Sequence, residues 1–328
     1  MSLEKYWMLF VKSHVWIAIL LCALMLIGCK SFDYLTKIEN NFPVAETCGD
    51  CHIDIYKEWS QSAHARAFLS PDFKTITQDG SLADCIGCHT PEPQLTPTVP
   101  LPRTIYLKDG VTCSTCHLAD GKMLGPVQPT GAIHPHPIEV AQNRFTDAAF
   151  CGRCHQGTYH QWQETSIKLK KTCQQCHMPS IVRKVTQSKG GISELIVSME
   201  KQITLRKHTF MIYPQSEDQE TFELHTAIEE KHIVVELINH LPHSFPTGNF
   251  GVQIGVMLVQ FFDADNNELQ TRRYEFVQEL KTNLPSGQSK KWTWDMPQSA
   301  AKMKIQLLRH GHSKEKQVEL LNREVPLP

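Results

Sequence analysis

Cys48-Gly49-Asp50-Cys51-His52 opens a stretch in which one pattern, Cys-x-x-Cys-His, occurs five times before the chain passes His177. The further copies are Cys85/Cys88/His89, Cys113/Cys116/His117, Cys151/Cys154/His155 and Cys173/Cys176/His177. Two thiols one helical turn apart can each form a thioether to one edge of a porphyrin. The imidazole that follows then reaches the iron from below the ring. This is the attachment pattern of c-type haem. One copy alone could be half of a zinc site, but five copies, each with His directly after the second Cys, make zinc implausible. Disulfides fail by arithmetic: ten of the twelve cysteines sit in these motifs, and the other two, Cys22 and Cys29, lie in or beside an apolar N-terminal run. The expectation is five covalently attached haem c groups, each with its motif histidine as proximal ligand.

The 328 residues allow two domains after processing. Formal charge is −1 with His neutral, so nothing basic points to nucleic acid and no charge block forms an acidic tail. Lys5 and Lys12 lead a short apolar run, Val15 to Ile27, long enough for an export signal and short for a spanning helix. It ends Leu26-Ile27-Gly28-Cys29, which resembles a bacterial lipoprotein box, with lipid expected on Cys29. The alternative is an uncleaved anchor. Either way the protein is expected on a membrane outside the cytoplasm, and Lys30 after the Cys favours the outer membrane over retention at the inner one.

Four segments follow: a signal peptide over 1–28, a tether over 29–45, a pentahaem domain over 46–215 and a β-sandwich over 218–328. Five haems in about 130 residues leave too little protein for an apolar core, so stacked porphyrins are expected to be the core, with short helices and loops around them. Ile55, Trp59, Ala63 and Ala67 recur every four residues and predict a helix over 53–68. Five prolines between Pro91 and Pro102 predict an extended connector. After about Glu220 there is no Cys, and alternating or β-branched runs at 233–238, 252–262, 273–277, 291–294 and 303–308 are separated by turn residues. They predict an all-β sandwich of immunoglobulin-like type.

Eleven histidines lie outside the motifs and the signal. They decide between a wire and an enzyme, because an iron with both axial positions filled exchanges electrons without room for substrate. His64 lies twelve residues beyond His52, roughly 18 Å of rise on a continuous helix, so it must reach a haem other than the one His52 holds. His134 and His136 stand in His-Pro-His-Pro, where each proline holds the preceding residue extended. At least one of the two is expected to be a ligand. His160 is too near His155 to close that haem's far face. Met178 is read as packing, and His225, His232, His310 and His312 as ordinary surface or satisfied histidines.

The chain resembles the bacterial multihaem c-type cytochromes related to the tetrahaem electron acceptor of hydroxylamine oxidation. The likeness rests on Cys48 to His52 with Tyr56, Trp59, Ser62 and His64-Ala65, on Gly110-Val111-Thr112-Cys113, and on Phe150 to His155 with Tyr159 and Trp162. Cys173 to Pro179 and His243-Ser-Phe-Pro246-Thr247-Gly248 complete it. The resemblance implies that His64, His208 and His243 are distal ligands and that a haem core is followed by a β-sandwich. Pro242 and His160 depart from it. Pentahaem nitrite reductases use Lys in place of one motif His, and all five motifs here end in His.

The leading expectation is a membrane-tethered electron carrier between redox partners of the cell envelope, other cytochromes or a quinol-linked reductase, in respiratory or extracellular electron transfer. The alternative is a multihaem oxidoreductase of a small nitrogen or sulfur compound with one open-site haem. A third reading, compatible with the first, gives the β-sandwich a docking role toward a partner or further copies of the chain.

Overall fold

The computed structural model describes Trp16 and residues 43–93, 100–131, 136–168, 170–211, 221–248, 253–311 and 317–328. The rest of the expected signal peptide, Cys29, His134 and His312 lie outside them. Among the described residues no helix is long and apolar enough to cross a membrane.

Residues 43–211 form short helices joined by loops. All five motifs fall on or across such helices: Ala45–Cys48, Ala83–His89, Cys113–His117, Cys173–His177 and Ala148–Gly152, which ends just past Cys151. Thr112 and Thr172 begin two of these with reciprocal capping boxes, each closed by the residue three positions on. Small sheets brace the loops. Strands β1 (Leu118–Ala119), β2 (Lys122–Gly125) and β3 (Ile138–Val140) make one, and β4 (Ser180–Arg183) pairs antiparallel with β5 (Ile203–Arg206) in another. Among the described residues the buried apolar cluster of this half is Ala45, Trp59 and Ala65, with Tyr56, Cys113 and Phe210 packed against it.

The expected helix over 53–68 ends early, at Ser60. Beyond it the chain turns, with Ala65 donating to Ser62 Oγ at 3.3 Å and Val111 donating to the His64 carbonyl at 2.9 Å. Trp59 is fixed by more than packing, because its indole donates to the Val111 carbonyl at 2.8 Å. The proline connector is also no simple extended link. Pro91 pairs with Pro102, Glu92 donates to Leu101 and Arg103 to Thr90, each at 2.8 Å, so the chain doubles back on itself.

From Phe222 the chain is all-β. Strands β6 (Phe222–Glu229), β7 (His232–Asn239) and β10 (Ser289–Asp295) form a sheet of order β10-β7-β6. Strands β8 (Ile254–Phe262), β9 (Glu268–Val277), β11 (Lys302–His310) and β12 (Val318–Pro326) form a second of order β12-β11-β8-β9. Every pairing is antiparallel. Alternate residues of both sheets interdigitate in one core, with Ile233, Val235 and Leu237 from β7, Met257, Val259 and Phe261 from β8, and Met303, Ile305 and Leu307 from β11. Trp292 and Trp294 close it from β10.

Candidate haem-binding site

One continuous cavity of about 1940 Å³ runs through residues 43–211 and reaches the end of the sandwich. It far exceeds the few hundred to 1,000 Å³ or so of an ordinary small-molecule pocket. All ten motif cysteines and all five motif histidines line it, together with His64, His136, His208 and His243.

The histidines face one another in pairs. Ring centroids lie 6.4 Å apart for His52 and His136, 6.1 Å for His64 and His155, 6.1 Å for His117 and His208, and 6.5 Å for His177 and His243. Metal–imidazole bonds run about 2.0 Å, so two rings facing each other across one metal have centroids roughly 6 Å apart. Each pair offers two nitrogens from opposite sides. Among the described residues no three His, Cys, Asp or Glu side chains gather closely enough to hold a bare ion. Two axial donors with a thiol pair at the edge is the donor set a covalently attached porphyrin needs, since the macrocycle supplies the ligands between them. The residues therefore fit haem c. Cys48/Cys51, Cys113/Cys116, Cys151/Cys154 and Cys173/Cys176 would hold four haems at these pairs, and Cys85/Cys88 a fifth.

Backbone carbonyls orient the rings. Nδ1 of His52 meets the Val185 carbonyl at 3.0 Å, His117 that of Leu124 at 2.7 Å, His177 that of Met211 at 2.6 Å and His89 that of Ala67 at 2.7 Å. His208 and His243 do likewise with Arg206 at 3.1 Å and Ser244 at 3.0 Å. A proton held on Nδ1 leaves Nε2 as the donor and fixes the ring plane. Burial pushes His64 and His208 down to about 3 and His243 to about 4, and lowers His117 and His155 as well. At neutral pH these imidazoles are neutral, with a lone pair to give. The protein encloses them, and the surface they leave bare faces the cavity.

His89 is different. Phe73 stacks on its ring at 4.0 Å, and among the described residues no second imidazole faces it. His160 ion-pairs with Glu164 at 3.1 Å, is 69% exposed and does not line the cavity. His225 and His232 sit beside Glu223 and Asp295 on the surface, as expected, while His310 is buried, with Nδ1 at 2.6 Å from the Gly311 carbonyl.

The thiols set the order of the sites. Cys48 contacts Cys113, Cys151 contacts Cys173, and Cys88 contacts Cys154. Two of these contacts come from one construction used twice. Cys48-Gly-x-Cys-His with Tyr56 and Trp59 matches Cys151-Gly-x-Cys-His with Tyr159 and Trp162. In each copy the tyrosine ring fills the place of a glycine Cβ, at Gly49 and Gly152. In each, the tryptophan indole donates to the carbonyl two residues before the motif whose first thiol that copy contacts, Val111 at 2.8 Å before Cys113 and Lys171 at 2.9 Å before Cys173. Phe210 then bridges the copies, 4.2 Å from the His64 ring and 5.9 Å from the His208 ring.

A family model described as "Cytochrome c554 and c-prime" matches residues 47–118. The chain is also similar to a penta-heme cytochrome c552 from Thermochromatium tepidum, with a TM-score of 0.61 at 15% identity, over 87% of this chain and 99% of that one. The chain has the fold of a multihaem c-type cytochrome. At that identity the likeness to the solved structure is one of fold. An ApaA protein from Bordetella pertussis (12% identity, 33% of this chain, 90% of that chain) and a Bacteroides uniformis β-glucuronidase (9%, 32% and 13%) match this chain at TM-scores of 0.20, too low to argue from. No curated protein matches the sequence.

The histidines that face the motif imidazoles come from scattered parts of the chain. Gly110, at φ +59°, packs against the His64 carbonyl so closely that a Cβ there would collide with it. The Val111 amide then fixes that carbonyl, and with it the turn that carries His64. His208 leaves β5 with its amide on Glu58 Oε2 at 2.8 Å, and Arg183 grips both oxygens of Glu58 at 2.7 and 3.0 Å. The His243 loop leaves the sandwich and docks on the helix Gln156–Glu164. There Gln161 Oε1 accepts from the Ser244 amide at 3.1 Å and from Thr247 Oγ1 at 2.6 Å. Motif spacing alone did not show Glu58, Arg183 or Gln161.

Proposed function

We propose that the cytochrome is an electron carrier with five haem c groups, passing electrons between redox partners of the cell envelope. The four facing imidazole pairs carry this reading, because they leave four irons no open position. The proximal ligands are His52, His89, His117, His155 and His177, and the distal ones His136, His208, His64 and His243 for motifs one, three, four and five. A c-type haem with both axial positions filled cycles between ferric and ferrous states with little change at the metal. The thiol contacts and Phe210 support a path linking motif one to three, three to four and four to five, with motif two joining at four. A pyridine haemochrome assay of the matured protein should return five equivalents, and EPR should show low-spin signals for four of them. A count well short of five, or high-spin iron at most sites, overturns the reading.

Among the described residues no second imidazole faces His89, which favours a second reading for that haem alone, a site that binds a small nitrogen or sulfur compound. Adding nitrite, hydroxylamine or cyanide to the reduced protein should then shift one-fifth of the Soret absorbance, and an unchanged spectrum ends it. The N-terminal pattern supports a lipid on Cys29 and an address on the periplasmic side of the envelope or at the outer membrane. Cys29→Ser should release the protein from membranes. The seven strands, in sheets β10-β7-β6 and β12-β11-β8-β9, support an immunoglobulin-like sandwich, placed to dock a partner or another copy of the chain.

A further inference from the structure

In β11 the residues Met303, Ile305 and Leu307 point into the sandwich core, and the next place on that face belongs to Arg309. Arg309 pairs across the sheet with Gly255, so their side-chain positions share one face. Gly255 has no Cβ, and the Phe245 ring, two residues from His243, fills that space. Arg309 therefore sits beneath the loop that carries His243, where the core opens onto the haem cavity, and it lines that cavity. Its charge lies near enough to His243 to disfavour a proton there. Burial alone lowers its own pKa, with no acid acting against it, and its guanidinium makes no ion pair with a described residue.

A guanidinium stays charged in any protein setting, and holding one out of water without a counter-charge is costly. The anion missing here is one that the haem itself brings, since its carboxylates match the planar fork of arginine. We propose that Arg309 holds a propionate of the haem set between His177 and His243. This rests on the haem reading above and deepens it: the sandwich supplies both an axial ligand and a charge partner to the same cofactor. A paired carboxylate stabilises the ferric state less than a free one, so Arg309 holds that haem's midpoint up.

The test is a potentiometric titration of the holoprotein with Arg309→Lys and Arg309→Gln, read by visible and EPR spectra. Lysine keeps the charge but loses the two-pronged fit. It should lower one of the five midpoints and leave four in place, and glutamine should lower the same one further. The haemochrome count and the low-spin signal should stay as in the parent. A lysine variant with all five midpoints unmoved overturns the proposal, whether or not the glutamine variant matures, because charge acting through space would survive that change. A haemochrome count below five in the parent would instead overturn the haem reading.

Discussion

His136 faces His52 across 6.4 Å, with the two rings inclined at 46°. His136→Ala should convert one haem from low to high spin, read by EPR and by the charge-transfer band, while His134→Ala leaves the spectrum as it was. Gly110 is the other residue whose role is local and sharp. Gly110→Ala places a methyl against the His64 carbonyl and strains a positive φ, at a cost of about 1–2 kcal/mol before the collision is counted. Holoprotein yield should fall, with His64 ligation lost first. At this scale the motif cysteines and histidines were legible because five adjacent residues carry the whole signal. That no second imidazole of the described residues faces His89 was not, since the face opposite a ring depends on residues far away in the chain.

Among the elements, the β4–β5 hairpin shows how distant pieces hold a ligand. Arg183 and Glu58 pair with side chains only 9% and 17% exposed, and Glu58 also receives the His208 amide. Glu58→Gln leaves Arg183 half-partnered in a buried place, so thermal unfolding should show a loss of about 3 kcal/mol, with His208 detaching from its haem at lower temperature than the other ligands. Hydrophobic spacing over-extended the helix after His52, because Ala63 and Ala67 keep the period while the Val111 amide draws the backbone off at His64. The same method found five strands of the sandwich and missed β6 and β12. β6 buries only Phe222 and Leu224 before its second half is exposed, and β12 is an edge strand carrying Glu319, Arg323 and Glu324. Edge strands face water along part of their length, so their alternation is diluted.

For the whole molecule, the join between halves runs through Gln161, which accepts from both Ser244 and Thr247. Gln161→Ala should raise the high-spin fraction of one haem, the one between His177 and His243, and leave melting of the sandwich core unchanged by near-ultraviolet circular dichroism. The division into a cofactor-filled half and a β half was legible because cysteines stop where alternation starts. That the second half completes the first was legible only by resemblance. The two members of each imidazole pair are at least 66 residues apart in the chain. With the export proposed above, a chain crossing from its N-terminus would emerge with the haems of motifs one, three and five attached on one side and bare on the other, His64 alone having crossed before the motif it faces. On that reading none of the four pairs closes before residue 136 has crossed, and the last waits for His243, so maturation would be a run of long-range closures and a stalled intermediate would be a high-spin, ligand-hungry species.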